Sequence, residues 1–283
     1  MTSPLKHATV FGARGFIGSH LVRRLRLEGV PTETPARDDL GQDGRPLGHV
    51  FYCLGLTSDY MRRPLETIEA HVCLLREILQ RGNFESLIYL SSTRLYDGCP
   101  SPASETTPLA LDPANPRHLF DLSKALGEAA CRAAPNRRCV TARLSSVYSD
   151  QLDSDNFLHQ IIRRTITEPA LSLETSRTLA RDYVHVDDVC DALIRIAESA
   201  SYDLYNVASG VNLSNEELFL LLEGETGRHI QTKNVDRSSV SPGIDIARLC
   251  NEFQYSPTPP KEGIRRIVKN LISNQQGDMD LSG

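Results

Sequence analysis

Short apolar runs alternate with stretches of helical periodicity through the first 150 residues. Ala8–Phe11 reads as a short strand running into glycine. Phe16–Glu28 places Ile17, Leu21, Val22 and Leu25 on one helical face and Arg23, Arg24 and Arg26 outward, and Gly29 ends that helix. A weaker strand is expected over Thr32–Ala36. His49–Leu54 is a continuous apolar run of buried-strand type, and Leu65–Gln80 is amphipathic at helical spacing. Ser86–Leu90 predicts the next strand, closed by Ser91-Ser92-Thr93. Five prolines between residues 97 and 116 predict a loop before a helix from Arg117 to Ala134, and Cys139–Leu144 predicts another buried strand. Strand and helix in this alternation imply βαβ units and a parallel sheet.

Beyond residue 150 the pattern loosens. Helices are expected over Phe157–Thr167 and Val186–Glu198, with a mixed segment between them and a strand at Leu204–Val207. Ser214 with Glu217 three residues on forms a capping box for a further helix. Prolines 257, 259 and 260 lead into a last helix to about Ser273, and residues 274–283 read as a frayed polar tail.

The 283 residues are 40% apolar and 24% charged, as in ordinary globular chains. A net charge of −5 argues against nucleic acid or an anionic membrane as partner. The chain has no apolar run of about 18 residues and no signal-type leader, so a cytoplasmic location is expected. Seven dispersed cysteines without a C-x-x-C pair read as reduced thiols, and no metal site is expected.

Chemistry enters at Gly12-Ala13-Arg14-Gly15-Phe16-Ile17-Gly18, between the first strand and the first helix. Its glycines permit a tight turn, close approach of a pyrophosphate and close packing of helix on sheet. The helix start adds free N–H groups and positive potential. An acidic residue is expected some 20 residues on for an NAD ribose; this chain has Ala36, Arg37 and Asp38 there. Arg14 and Arg37 could face a 2′-phosphate, which tilts the expectation to NADP over NAD. In the alternative, both arginines are solvated and Asp38 takes the ribose or the adenine.

Further landmarks follow in order: Leu90-Ser91-Ser92-Thr93-Arg94-Leu95-Tyr96, Phe120…Lys124, Ala142-Arg143-Leu144-Ser145-Ser146-Val147-Tyr148, Arg181-Asp182-Tyr183-Val184-His185-Val186-Asp187-Asp188-Val189 and Tyr205-Asn206-Val207. Together with the glycine loop, over about residues 8–270, the chain resembles the extended short-chain dehydrogenase/reductases of the NAD-dependent epimerase/dehydratase group, which act on nucleotide sugars. The resemblance implies a Rossmann-type doubly wound parallel sheet with a smaller C-terminal α/β lobe. Residues 1–150, with 185–208 returning to them, would form the dinucleotide-binding domain, and 151–184 with 209–273 the substrate lobe.

It also implies roles. Ser92, with Thr93 beside it, would hold the substrate oxygen, and Lys124 would bind the nicotinamide ribose and lower a neighbouring phenol's pKa. Leu54 and Gly55 would line the cofactor, Arg181 would grip the diphosphate, and Arg94, Tyr96 and Ser146 would meet the substrate. The implied reaction is hydride transfer at a carbinol or ketone carbon, with a dehydrogenase/reductase or epimerase outcome. Relatives pair through two helices, so residues 65–80 and 117–134 suggest a homodimer.

Departures from the pattern matter as much. Phe120 stands four residues before Lys124, where the family has tyrosine, and a benzyl ring moves no proton. Ser146 stands in place of an asparagine, and His49 and His71 in place of a common Asp and Asn. Thr93 and Arg94 occupy the places of the dehydratases' Asp-Glu pair, which argues against 4,6-dehydration. About twelve residues from Arg37 to His49 leave no room for a full helix–strand unit. Three readings of Phe120 stay open: an introduced exchange that stalls chemistry; an enzyme using another group (His118, Tyr96, Tyr148 or His185); or a non-catalytic cofactor-binding sensor. Reduction of a non-nucleotide metabolite is a further alternative.

Overall fold

In the computed structural model, which describes residues 5–36, 39–41, 43–57, 59–134, 138–233 and 241–280, the first strand lies inside a sheet rather than at its edge. Ala8–Phe11 (β1) is buried at every position, and Thr9 satisfies its hydroxyl by donating to the Leu47 carbonyl at 2.7 Å. Thr32–Glu33 (β2), His49–Tyr52 (β3), Ser86–Ser92 (β4), Cys139–Leu144 (β5) and Leu204–Val207 join it in a six-stranded sheet. All pairings in that sheet are parallel, and Leu204–Val207 lies beside β5. The chain moves outward from β1 to β2 and returns to the other side of β1 with β3, so the strand order reverses between β1 and β3. Open parallel sheets bind ligands at such a point, outside the carboxyl ends of the strands.

Phe16–Leu27 (α1) and Val186–Ser199 pack together on one face over Leu21, Leu25, Val189 and Leu193. Pro64–Ile68 (α2), Leu74–Arg81 (α3) and Leu119–Ala133 (α4) belong to the opposite face, whose core includes Leu75, Ile78, Tyr89 and Cys131. A smaller sheet of Ser146–Tyr148 (β6), Ala180–His185 and Asn212–Ser214 has its own apolar cluster around Tyr148, Ile161, Phe219 and Ile264. Phe157–Thr167 (α5), Asn215–Thr226 and Pro260–Asp280 contribute to that cluster. Ser214 and Glu217 form the capping box that the sequence implied. Among the described residues, no helix is long and apolar enough to cross a membrane.

Several expectations need correction. The strand expected over Thr32–Ala36 stops at Glu33, on the sheet edge and two residues before Pro35, which has no N–H to donate. The helix expected over Leu65–Gln80 is interrupted by a π-helical turn at Glu69–Cys73. The helix expected from Arg117 starts at Leu119, after a 3₁₀ turn at Pro116–His118. The last helix continues to Asp280 rather than ending near Ser273. Short strands at Leu171–Leu173 and Ile230–Thr232, which pair with each other, and a helix at Ala247–Phe253 were not foreseen; each is too short to leave a periodic signature.

Candidate active site

The glycine loop closes on itself and on the neighbouring strand. Gly12 has φ +83°, a conformation that favours glycine, and a Cβ there would lie 2.8 Å from the Cys53 backbone. Gly15 N–H donates to the Gly12 carbonyl at 2.9 Å, and a Cβ on Gly18 would sit 2.2 Å from that same oxygen. Gly15 caps α1 with no side-chain bond, and no acidic residue occupies the first turn. The amide donors and dipole at this helix start therefore meet no negative side chain of their own turn, which fits a diphosphate. Arg14 is exposed beside them, while Phe16 and Ile17 are half-buried and pack inward against the core. Arg37 and Asp38 lie outside the described residues.

From this loop a continuous floor runs along the carboxyl end of β3. Cys53 and Leu54 back Gly12, and Gly55 follows against His71 and Lys124: a Cβ on Gly55 would meet His71 Nε2 at 3.1 Å and Lys124 Nζ at 3.5 Å. Leu54 turns its side chain toward the α3/α4 core. Lys124 is 6% exposed and donates to the Leu90 carbonyl at 2.8 Å. Burial lowers its pKa to about 7, with the Cys53 and Glu128 charges opposing that shift. His71 is fully buried, and burial followed by the Lys124 charge lowers it to about 3. It is therefore neutral: Nε2 accepts from Leu56 N–H at 3.3 Å, and Nδ1 lies 2.8 Å from Ser123 Oγ, which donates on to the Phe120 carbonyl.

Phe120 is 3% exposed, with three side chains around its ring. His71 meets it edge-on at 5.3 Å, Tyr60 lies tilted at 5.6 Å and the Arg94 guanidinium stands 5.0 Å from its centroid. Arg94 pairs with Asp121 at 3.1 Å and donates to Tyr60 Oη at 2.9 Å and to the Arg117 carbonyl at 2.8 Å. Burial raises the Asp121 pKa, with the Arg94 charge opposing. Tyr60 and Asp121 were not identified from the sequence. Tyr60 lies in an aperiodic loop, and only that loop's departure from the carboxyl end of a buried strand could have pointed to it.

Ser92 ends β4, two residues beyond the carbonyl that holds Lys124, so its Cα lies about 7 Å from that of Leu90 at ordinary strand rise. Its hydroxyl accepts from Arg94 N–H at 3.2 Å, and the half-buried Thr93 opens the 3₁₀ turn that follows. Tyr96, expected at the substrate, is instead fully enclosed: its hydroxyl donates to Asn206 Oδ1 at 2.8 Å and Arg143 covers its ring. Arg181 is exposed on Ala180–His185, the strand paired with β6 through Ser146 and Tyr183. Burial raises the Asp97 pKa, opposed by a bond from Ser241 and by the charges of the Arg94 and Arg181 guanidiniums.

The other candidate proton carriers are engaged elsewhere. His118 Nδ1 accepts from Asp112 N–H, His185 Nε2 meets Asp150 at 3.1 Å, and Tyr148 is buried in the second core.

Residues 8–208 match the profile of a family described as "NAD dependent epimerase/dehydratase family". UDP-glucuronic acid decarboxylase 1 of Danio rerio is 22% identical over 251 residues, 77% of this chain, which spans only 59% of that protein's length. CDP-abequose synthase of Salmonella typhimurium is 22% identical over 304 residues, covering 96% of this chain and all of that one. Among solved structures, MoeE5 in complex with UDP-glucose and NAD superposes with a TM-score of 0.78 at 21% identity, over 95% of this chain and 99% of that one.

Proposed function

Because the chain belongs to the NAD-dependent epimerase/dehydratase family, we propose that it is an NAD(P)-dependent oxidoreductase or epimerase of a nucleotide-diphosphate sugar, acting at one carbinol or ketone carbon. The observation that carries this reading is the continuity from the glycine loop through Gly55 to Lys124, which is anchored two residues before Ser92 on the same strand. The loop amides and the α1 start would hold the diphosphate, and Lys124 the nicotinamide ribose; the nicotinamide, when bound, supplies the redox chemistry. Ser92 holds the reacting oxygen, and Arg181, with Ser146 on the adjacent strand, faces the sugar nucleotide. The solved relative holds UDP-glucose, so a uridine nucleotide sugar is the first ligand to test. Arg14 and Arg37 favour NADP over NAD.

A second reading, a cofactor-binding protein without turnover, draws on Phe120, whose enclosed ring offers no hydroxyl. Calorimetric titration with NAD, NADP, UDP-glucose and UDP-glucuronic acid tests both. The enzyme reading expects binding of a dinucleotide and of at least one UDP-sugar, with NADP the tighter dinucleotide. Arg181→Ala should weaken the UDP-sugar about tenfold while leaving the dinucleotide unchanged. An unaltered UDP-sugar affinity would remove Arg181 from the site, and failure to bind either UDP-sugar would remove uridine nucleotide sugars as substrates.

A further inference from the structure

We infer that Tyr60 supplies the proton-transferring hydroxyl that position 120 lacks, an inference that rests on the nucleotide-sugar reading above. Tyr60 belongs to the loop that leaves β3 at the carboxyl edge of the sheet, the edge that carries the glycine loop and Ser92. Its ring packs on Phe120 with centroids 5.6 Å apart, so its phenol neighbours the place from which a tyrosine at 120 would act. Arg94 ties this phenol to the hydroxyl expected to hold substrate: its backbone N–H donates to Ser92 Oγ at 3.2 Å and its Nη2 to Tyr60 Oη at 2.9 Å.

The same guanidinium lies 4.8 Å from the Tyr60 ring centroid and is steadied by Asp121 at 3.1 Å. A fixed cation donating to a phenol oxygen stabilises negative charge on that oxygen. Tyr60 Oη is also 3.3 Å from the Arg117 carbonyl, a long bond that a substrate hydroxyl could replace.

The step balances with NAD(P)⁺ as the oxidant. The step starts from Tyr60 as the phenolate, its own proton having passed to solvent; the carbinol O–H breaks and its proton forms the Tyr60 phenol O–H. The carbinol C–H bond breaks and its hydrogen leaves with the electron pair to the oxidant, so the carbon becomes a ketone. Reversal returns both to the same or the opposite face.

The test uses the full chain saturated with NAD(P), as wild type, Tyr60→Phe, Phe120→Tyr and the Tyr60→Phe/Phe120→Tyr pair. Unchanged dinucleotide affinity certifies the fold of each variant. The first readout is binding alone: UDP-glucose and UDP-glucuronic acid are titrated beside analogues that each lack one ring hydroxyl. One particular deletion should weaken binding about tenfold in the wild type and not at all in Tyr60→Phe. The second is single-turnover reduction of the bound dinucleotide, expected to fall about 10²- to 10⁴-fold in Tyr60→Phe and to recover in the double variant. Equal analogue discrimination in wild type and Tyr60→Phe overturns the assignment. So does a silent wild type beside an active Phe120→Tyr, which leaves the nucleotide-sugar reading standing. A wild type that binds dinucleotide but neither these UDP-sugars nor CDP- and dTDP-linked sugars titrated beside them refutes the parent reading, and this one with it.

Discussion

Phe120 is flanked by side chains whose protonation differs from solution because water is excluded from them. His71 is the clearest case, held neutral by burial and by Lys124, with a pKa near 3 against an ordinary 6.5. As pH falls from about 6.5 toward 3, the unfolded chain takes up a proton that the folded chain refuses, so stability declines over that window. Below about pH 3 both states are protonated and the slope ends. His71→Asn should therefore flatten the acid side of the stability curve by up to about 1.4 kcal/mol per pH unit. Urea midpoints at several acidic pH values would measure this, and an unchanged slope would mean that His71 protonates freely in the fold. His159, lowered to about 4 by burial, keeps a similar dependence in the variant. These residues differ widely in how visible they are from sequence. Phe120 and Lys124 stand out by spacing and His71 only as a departure from a family pattern, whereas Tyr60 is silent because no periodicity marks a loop side chain.

Among elements, the glycine loop and the interrupted helix position the site. Gly18 approaches Gly12 so closely that a methyl group would displace backbone, not a yielding side chain. Gly18→Ala should cost about 1–3 kcal/mol and abolish dinucleotide binding. Gly29→Ala, at φ +76° with no atom of the described residues within 4 Å of an added Cβ, should cost only its local strain and spare binding. Thermal melts and dinucleotide titration of both variants check the contrast; retained affinity in Gly18→Ala would refute the close-packing argument. The π-helical turn at Glu69–Cys73 carries two carbonyls that accept from side chains: Tyr52 Oη donates to Ala70 at 2.5 Å and Tyr89 Oη to His71 at 3.2 Å. Widened turns of this kind cluster at functional sites. Here it sets the His71 ring beside Gly55, Ser123 and Phe120. An apolar repeat reads straight through such a turn, so the break is invisible in sequence.

For the whole molecule, one buried ion pair ties the sheet to the helix that bears Lys124. Arg143 on β5 bonds Glu128 on α4 through Nε at 2.9 Å and Nη2 at 2.6 Å, and Ser91 on β4 donates to the same carboxylate. Arg143 also stands 4.8 Å from the centroid of the Tyr96 ring, whose hydroxyl reaches Asn206 on the far edge strand. Removing the carboxylate leaves the Arg143 guanidinium, only 5% exposed, without its partner, so Glu128→Gln should cost about 3–5 kcal/mol. Replacing both, as Glu128→Leu with Arg143→Met, should recover most of that loss. Denaturant unfolding of the two variants decides, and a double variant no more stable than the single one would show that the pair is stabilising in itself. A second tie joins the glycine-loop helix to the smaller cluster: Phe16 packs edge-on against His159 at 5.7 Å, and His20 meets Asp153 at 2.9 Å.

The alternation of apolar runs with helical periodicity was enough to imply a parallel sheet with crossover helices, because burial on both faces demands continuous apolar strands. The glycine spacing was enough to imply the tight turn and the close packing of α1 on the sheet, since only a residue without Cβ fits where backbone meets backbone. Burial and cross-chain approach depend instead on distances between segments far apart in sequence. Only the folded chain enclosed Tyr96, lowered the pKa of Lys124 and His71, drew Arg94 onto Phe120, and packed a loop phenol against a ring that has none.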